Sequence, residues 1–199
     1  MDNLSRYVDQ YSENDKGSEL SSLLLVLFCV LISAFIVTVN NWFIKVVVDG
    51  NSMYPTLKDG QVITVSLVDD YDYGSIVVIK DELQDEWIVK RVIAKGGDTV
   101  EIKNGKVSLR KQGTKYSIEL SEDYLGDSVK TYPANNKESE TYHVPENEIF
   151  YLGDNRGNSE DSRGEFETCK ESQIVGVVKE NLLWLRPIDH FIFKLFGKI

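Results

Sequence analysis

The sequence predicts a mainly β protein: an antiparallel β-sheet domain preceded by one transmembrane helix. Three observations predict it. The segment from Ser21 to Val39 carries no charged residue. After it, short runs rich in Val, Ile and Tyr recur between turn signals, with almost no helical period. Asn104-Gly105 stands between two alternating runs, the strongest short-range hairpin signal a sequence can carry.

The apolar run SSLLLVLFCVLISAFIVTV is 19 residues long, enough for a helix to cross a hydrocarbon core. Trp42 suits the membrane interface and Lys45 can snorkel toward it, so the anchor is assigned to residues 20–43. A cleaved signal peptide would need a basic leader and a small-residue exit. Here the leader is mostly acidic (Asp2, Asp9, Glu13, Asp15 and Glu19 against Arg6 and Lys16), and the exit reads Thr38-Val39-Asn40. The run is therefore an uncleaved anchor. Residues 1–19 are polar and aperiodic and are expected to form a short, poorly ordered tail. The Lys/Arg difference across the two flanks is too small to fix the orientation.

Beyond the anchor, residues 44–199 read as one domain. Its strand candidates are IKVVV (44–48), VITVSLV (62–68), SIVVIK (75–80), WIVKRVIA (87–94), TVEIKNGKVSL (99–109) and IVGVVKENLLWL (174–185). Asp59-Gly60, Tyr73-Gly74 and Gly96-Gly97-Asp98 punctuate them. The stretch from about 110 to 148 is polar and short of apolar runs, and reads as an insertion or small cap.

The 199-residue chain has 22 Lys+Arg against 32 Asp+Glu, a formal net charge of -10. With no clustered basic face, nucleic acid is not an expected partner. Cys29 lies in the apolar run and Cys169 in a charged stretch, which argues against a bridge between them. No Cys/His cluster offers metal ligands, and no cofactor is expected.

The chemistry concentrates in three places. In Asp49-Gly50-Asn51-Ser52-Met53-Tyr54-Pro55, Gly50 permits an unusual backbone angle and Pro55 fixes another. A bend there can expose the Ser52 hydroxyl and aim its backbone N–H at an incoming carbonyl oxygen. Taken alone, a serine between glycine and proline is commonly only a turn. A nucleophilic serine needs a base, and neither His143 nor His190 stands in a catalytic setting. Lys90, in Trp87-Ile88-Val89-Lys90-Arg91-Val92, shares a strand face with Ile88 and Val92, where burial can depress its basicity. The bland alternative is a half-exposed strand lysine with Arg91 on the other face. The third place is Gly153-Asp154-Asn155-Arg156 through Ser159, Asp161, Ser162 and Arg163. There Asp161 and Arg163 could pair, and Ser159 or Ser162 could support a buried amine.

In this order, after an N-terminal anchor, the blocks Ser52-Met53-Tyr54-Pro55-Thr56-Leu57, Lys90-Arg91-Val92-Ile93-Ala94-Lys95-Gly96-Gly97-Asp98 and Gly153-Asp154-Asn155-Arg156…Ser159…Asp161-Ser162-Arg163 resemble the type I signal peptidases of bacteria, in their single-anchor Gram-positive form. The resemblance spans about residues 20–186 and leaves the insertion unmatched in detail. It implies the β fold shared with LexA-like self-cleaving repressors and a membrane-bound serine endopeptidase with a Ser–Lys dyad. Such an enzyme removes signal peptides from exported preproteins after Ala-x-Ala-like residues. It implies Ser52 as nucleophile, Lys90 as general base and Ser159 as the residue orienting the Lys90 amine. Asp161 and Arg163 would hold the loop, and Met53 and Ile88 would line pockets for small side chains. It also implies a cytoplasmic tail, an extracytoplasmic catalytic domain, and preproteins and membrane lipid as partners. One departure is Ser75, where the family often carries Asp, expected to weaken the local loop rather than activity. The alternatives are a self-processing regulatory protease, against which the anchor argues, and a catalytically silent membrane-tethered binding module of the secretion machinery.

Overall fold

The computed structural model describes residues 3–82, 85–126, 128–134, 137–164 and 168–179. The chain divides into two units, residues 1–42 and 43–199.

The first unit is one helix, α1 (Asn3–Asn40). Within it Glu19–Thr38 is a 20-residue span of mean hydropathy 2.9. Its large apolar side chains are exposed all round, Leu23 at 67 % and Phe35 at 69 %. A helix apolar on every face has no stable place in water and suits a bilayer. The helix starts some 18 residues before the apolar run, where the sequence suggested a poorly ordered tail. Once the apolar span is helical, each added residue costs only propagation, and no proline stands between Asn3 and Glu19 to stop it.

The second unit is built on two antiparallel sheets. In chain order the strands are β1 (Phe43–Val47), β2 (Val62–Ser66), β3 (Ile76–Asp81), β4 (Glu86–Lys95), β5 (Thr99–Lys103), β6 (Lys106–Arg110), β7 (Ile118–Glu119), β8 (Ser139–His143), β9 (Glu148–Leu152), β10 (Cys169–Lys170) and β11 (Ile174–Val178). The larger sheet runs β1-β2-β11-β3-β4-β9-β10 and the smaller β7-β6-β5-β8. Every described pairing is antiparallel. Asn104 (φ 54) and Gly105 (φ 80) take the positive angles that a two-residue hairpin between β5 and β6 requires.

The polar stretch 110–148 is no separate cap. It supplies β7 and β8 to the smaller sheet, flanking the β5–β6 hairpin. Of the C-terminal strand candidate 174–185, Ile174–Val178 is observed and Lys179 follows it, its N–H on Thr64 O at 2.9 Å; residues 180–185, with His190, lie outside the described residues.

Alternation along β3 and β4 divides the core. Val77, Ile79 and Val92 join Ile149 and Tyr151 on one side, while Ile76 and Val78 join Met53, Leu57 and Val65 on the other. A register shift between Val92 and Ala94 then turns Ile93 and Ala94 into a third cluster with Val100, Val107 and Phe150, which ties the two sheets together. Ser75 accepts the Asp72 N–H on its hydroxyl at 3.0 Å, so the turn into β3 keeps a side-chain acceptor without an aspartate. Both cysteines are free, Cys29 exposed and Cys169 buried.

Candidate active site

The serine segment is a loop tied at its base. Val48 N–H donates to Gln61 O at 2.9 Å and Gly60 N–H to Val48 O at 2.8 Å. Gly50 sits at φ +84 and gives its N–H to the Asp59 carboxylate, a backbone angle a side chain would strain. Met53 and Leu57, 1 % and 3 % exposed, sink into the core, and Leu57 N–H closes a turn onto Met53 O. Ser52, between the glycine bend and the buried methionine, is left half-buried at the surface of the loop.

Lys90 arrives from β4, opposite Val77 on β3. It is 5 % exposed. Burial holds the Lys90 amine below the usual lysine range, and Arg163 pushes in the same direction; Asp161 and Glu160 oppose them.

The loop after β9 brings these parts together. Gly153 cannot be another residue without movement, since a Cβ there would lie 2.1 Å from Ser159 Oγ and 2.5 Å from Ser52 O. With that space free, Asn155 N–H reaches Ser52 O at 2.9 Å and Asn155 Nδ2 reaches Asn51 O at 3.0 Å. The serine loop and the 153–163 loop are thus joined directly. Asp161, 2 % exposed, accepts the Gly153 N–H at 3.0 Å and receives both arms of Arg163, at 2.7 and 2.9 Å. Ser162 spends its hydroxyl on the Tyr151 N–H, so of the two serines considered as support for an amine it is Ser159 that reaches the cleft.

Ser52 and Lys90 line one cleft of about 740 Å³, with Met53, Ile88 and Ser159 also in its wall. Five of the seven residues singled out from sequence therefore meet there. Asp161 and Arg163 stand behind it, lining a second cavity on the other side of Ser159 and Glu160.

Two arginines were not identified from sequence. Arg91 holds Asp154 with two bonds, at 2.9 and 2.6 Å, and Asp154 also accepts the Thr56 hydroxyl at 2.5 Å. This couples β4, the serine loop and the 153–163 loop through one buried carboxylate. Arg156, 4 % exposed, donates to Gly153 O and is gripped by Glu122 at 2.5 and 3.1 Å, with the hydroxyls of Tyr124 and Thr131 alongside. The Arg91 guanidinium stacks on the Tyr124 ring at 3.9 Å. The only sequence signal was a density of charge in the blocks that also hold Lys90 and Ser159; the partners lie 34 and 63 residues away.

Residues 20–184 match the family model described as signal peptidase, peptidase S26. The chain belongs to the signal peptidase family. Among curated signal peptidases, it is 35 % identical over 178 residues to signal peptidase I of Bacillus amyloliquefaciens, covering 84 % of this chain and 92 % of that one. With signal peptidase I S of Bacillus subtilis (strain 168) it shares 36 % over 166 residues, 79 % and 83 % of the two chains. The crystal structure of a signal peptidase I from Enterococcus faecalis V583 aligns at 28 % identity and a TM-score of 0.46, covering 56 % of this chain and 99 % of that one. The assignment of this signal peptidase rests on the sequence matches.

Proposed function

We propose that this chain is a membrane-anchored serine endopeptidase in which Ser52 is the nucleophile and Lys90 the general base. It removes N-terminal signal peptides from exported preproteins after small, Ala-x-Ala-like residues. The observation that carries the assignment of roles is one cleft lined both by a serine on a glycine-constrained loop and by a lysine whose charged form burial disfavours. The relatives are signal peptidases throughout those compared, which favours the enzyme over a silent binding module.

In the reaction, neutral Lys90 takes the proton of Ser52 as Oγ attacks the scissile carbonyl carbon. When the tetrahedral intermediate collapses, the C–N bond breaks and the Lys90 ammonium returns that proton to the leaving amine. Water then attacks the acyl-serine ester with Lys90 again as base, and the serine is restored. The developing oxyanion is met by the Ser52 backbone N–H; removing one such donor typically costs about 10²–10³ in rate. Ser159 orients the amine, Asp161 with Arg163 fixes the loop carrying Ser159, and Met53 and Ile88 form the walls that admit only small side chains.

The α1 anchor crosses the membrane once and leaves the catalytic domain on the extracytoplasmic side, against the lipid surface. Only 12 residues separate Val39 from Ser52, so the anchor tethers the nucleophile to the bilayer by a short stretch of chain. A preprotein held in the same bilayer meets the site at raised effective concentration. Incubating the full-length protein in detergent with a preprotein and mapping the new N-terminus by mass spectrometry tests this reading. One cut after a small-x-small sequence is expected; an intact preprotein, or cuts at unrelated sequences, would refute it.

A further inference from the structure

The cleft that holds Ser52 and Lys90 is acidic beyond what its chemistry asks. Asp49, Asp81, Glu86 and Glu160 all line it, and Lys90 is the one basic side chain among its described lining residues. Three of these carboxylates are placed at a cost. Asp81 and Glu86 are direct cross-strand partners on β3 and β4, where like charges disfavour the pairing. Glu160 acts on Lys90 in the direction that keeps the amine protonated, against the need of a general base. A positively charged guest in the cleft would offset both costs. Lys90 itself, 5 % exposed, lines the same cleft with no hydrogen bond from the described residues.

We propose that the cleft reads charge as well as size: it selects peptides carrying a lysine or arginine within a few residues of the scissile bond, with Glu160 and Glu86 as the reading carboxylates. The inference rests on the catalytic assignment of Ser52 and Lys90 given above. Glu86 and Glu160 are both exposed, so each can follow a long cationic side chain without losing its own hydration. Asp49 and Asp81 add a field of the same sign, which also disfavours acidic substrates. Exposed pairs of this kind are each worth about two- to fivefold. Replacing a substrate lysine by glutamate reverses both, giving about tenfold in kcat/KM.

The test uses full-length protein in detergent and peptides spanning one small-x-small cut, each flanking position carrying Lys, Gln or Glu in turn. The expected order at one or more positions is Lys over Gln over Glu, with about a tenfold gap between the extremes at low ionic strength. Near 1 M salt, where the screening length falls to about 3 Å, the gap closes. In the double variant Glu86→Gln, Glu160→Gln the gap is lost, read as the ratio of the Lys-peptide to the Glu-peptide rate within that variant. Equal rates at every position, or a gap that survives in the double variant, would overturn the charge reading and leave the catalytic one intact. Failure of the wild-type protein to cut even the Gln peptides would overturn the catalytic reading and this inference with it.

Discussion

Replacing Glu122 by alanine removes one side chain from the polar stretch and leaves the buried Arg156 guanidinium without its counter-charge. The Arg156 side chain is 0 % exposed and that of Glu122 13 %, so the pair is largely shielded from water. Breaking a buried ion pair from one side costs about 3–5 kcal/mol, because the remaining charge stays desolvated. Arg156 keeps the Tyr124 and Thr131 hydroxyls and Gly153 O as partners, which sets the expectation at the lower end, about 3 kcal/mol. For a domain of this size that is a fall in Tm of roughly 6–12 °C. Glu122→Gln keeps an acceptor and is expected to lie between alanine and wild type. Since Arg156 also fixes Gly153 O, and Gly153 abuts Ser52 and Ser159, kcat should fall with Tm while KM changes little. Thermal unfolding of the full-length protein in detergent, followed by near-UV circular dichroism, reads the first effect and peptide cleavage the second. An unchanged Tm in Glu122→Ala would refute the claim that this segment holds the loop carrying Ser159.

Four further outcomes follow from the site. Because burial lowers the pKa of Lys90, the unfolded chain binds more protons than the folded one between the lowered value and 10.5; stability should therefore rise with pH through that window, and cleavage should rise with it as the amine becomes neutral. Lys90→Met should abolish cleavage, raise Tm at neutral pH and remove that part of the pH dependence; an activity maximum in acid would point to a carboxylate base instead. Gly153→Ala should inactivate the protein and lower Tm, since its Cβ meets Ser52 O at 2.5 Å, and wild-type behaviour would mean the two loops move apart freely. Asp161→Ala should lower Tm and rate together, because the Gly153 N–H loses its acceptor and Arg163 its carboxylate partner; lost activity at unchanged Tm would place Asp161 in the chemistry itself.

What the sequence made legible was what local pattern encodes. An apolar run of 19 residues without charge announces a membrane helix, and Asn104-Gly105 announces its hairpin, because both depend on neighbours in the chain. The burial of Lys90 is legible because its flanks, Ile88 and Val92, place it on an apolar strand face, and in the fold it is 5 % exposed. The 110–148 stretch resisted reading because it docks by charge: Glu122 meets an arginine 34 residues on, and the strand at Ser139–His143 pairs with one some forty residues earlier, with half its side chains in water. In the sequence Arg91 reads only as the outward neighbour of Lys90. Its bond to Asp154, 63 residues away, is a pairing that composition cannot disclose, and in the fold it is buried. The N-terminal polar residues were misjudged for the converse reason: their own pattern is weak, but a long helix beside them supplies the nucleus.

The central claim is that Ser52 and Lys90 act as one catalytic unit. The most direct test compares kcat/KM of wild type, Ser52→Ala and Lys90→Ala on one signal-peptide substrate at the alkaline plateau, with Tm recorded for each. The account predicts that either substitution lowers the rate by on the order of 10⁴-fold or more, that the double variant is no worse than the singles, and that both variants remain folded. Turnover near wild type by either folded variant would contradict it.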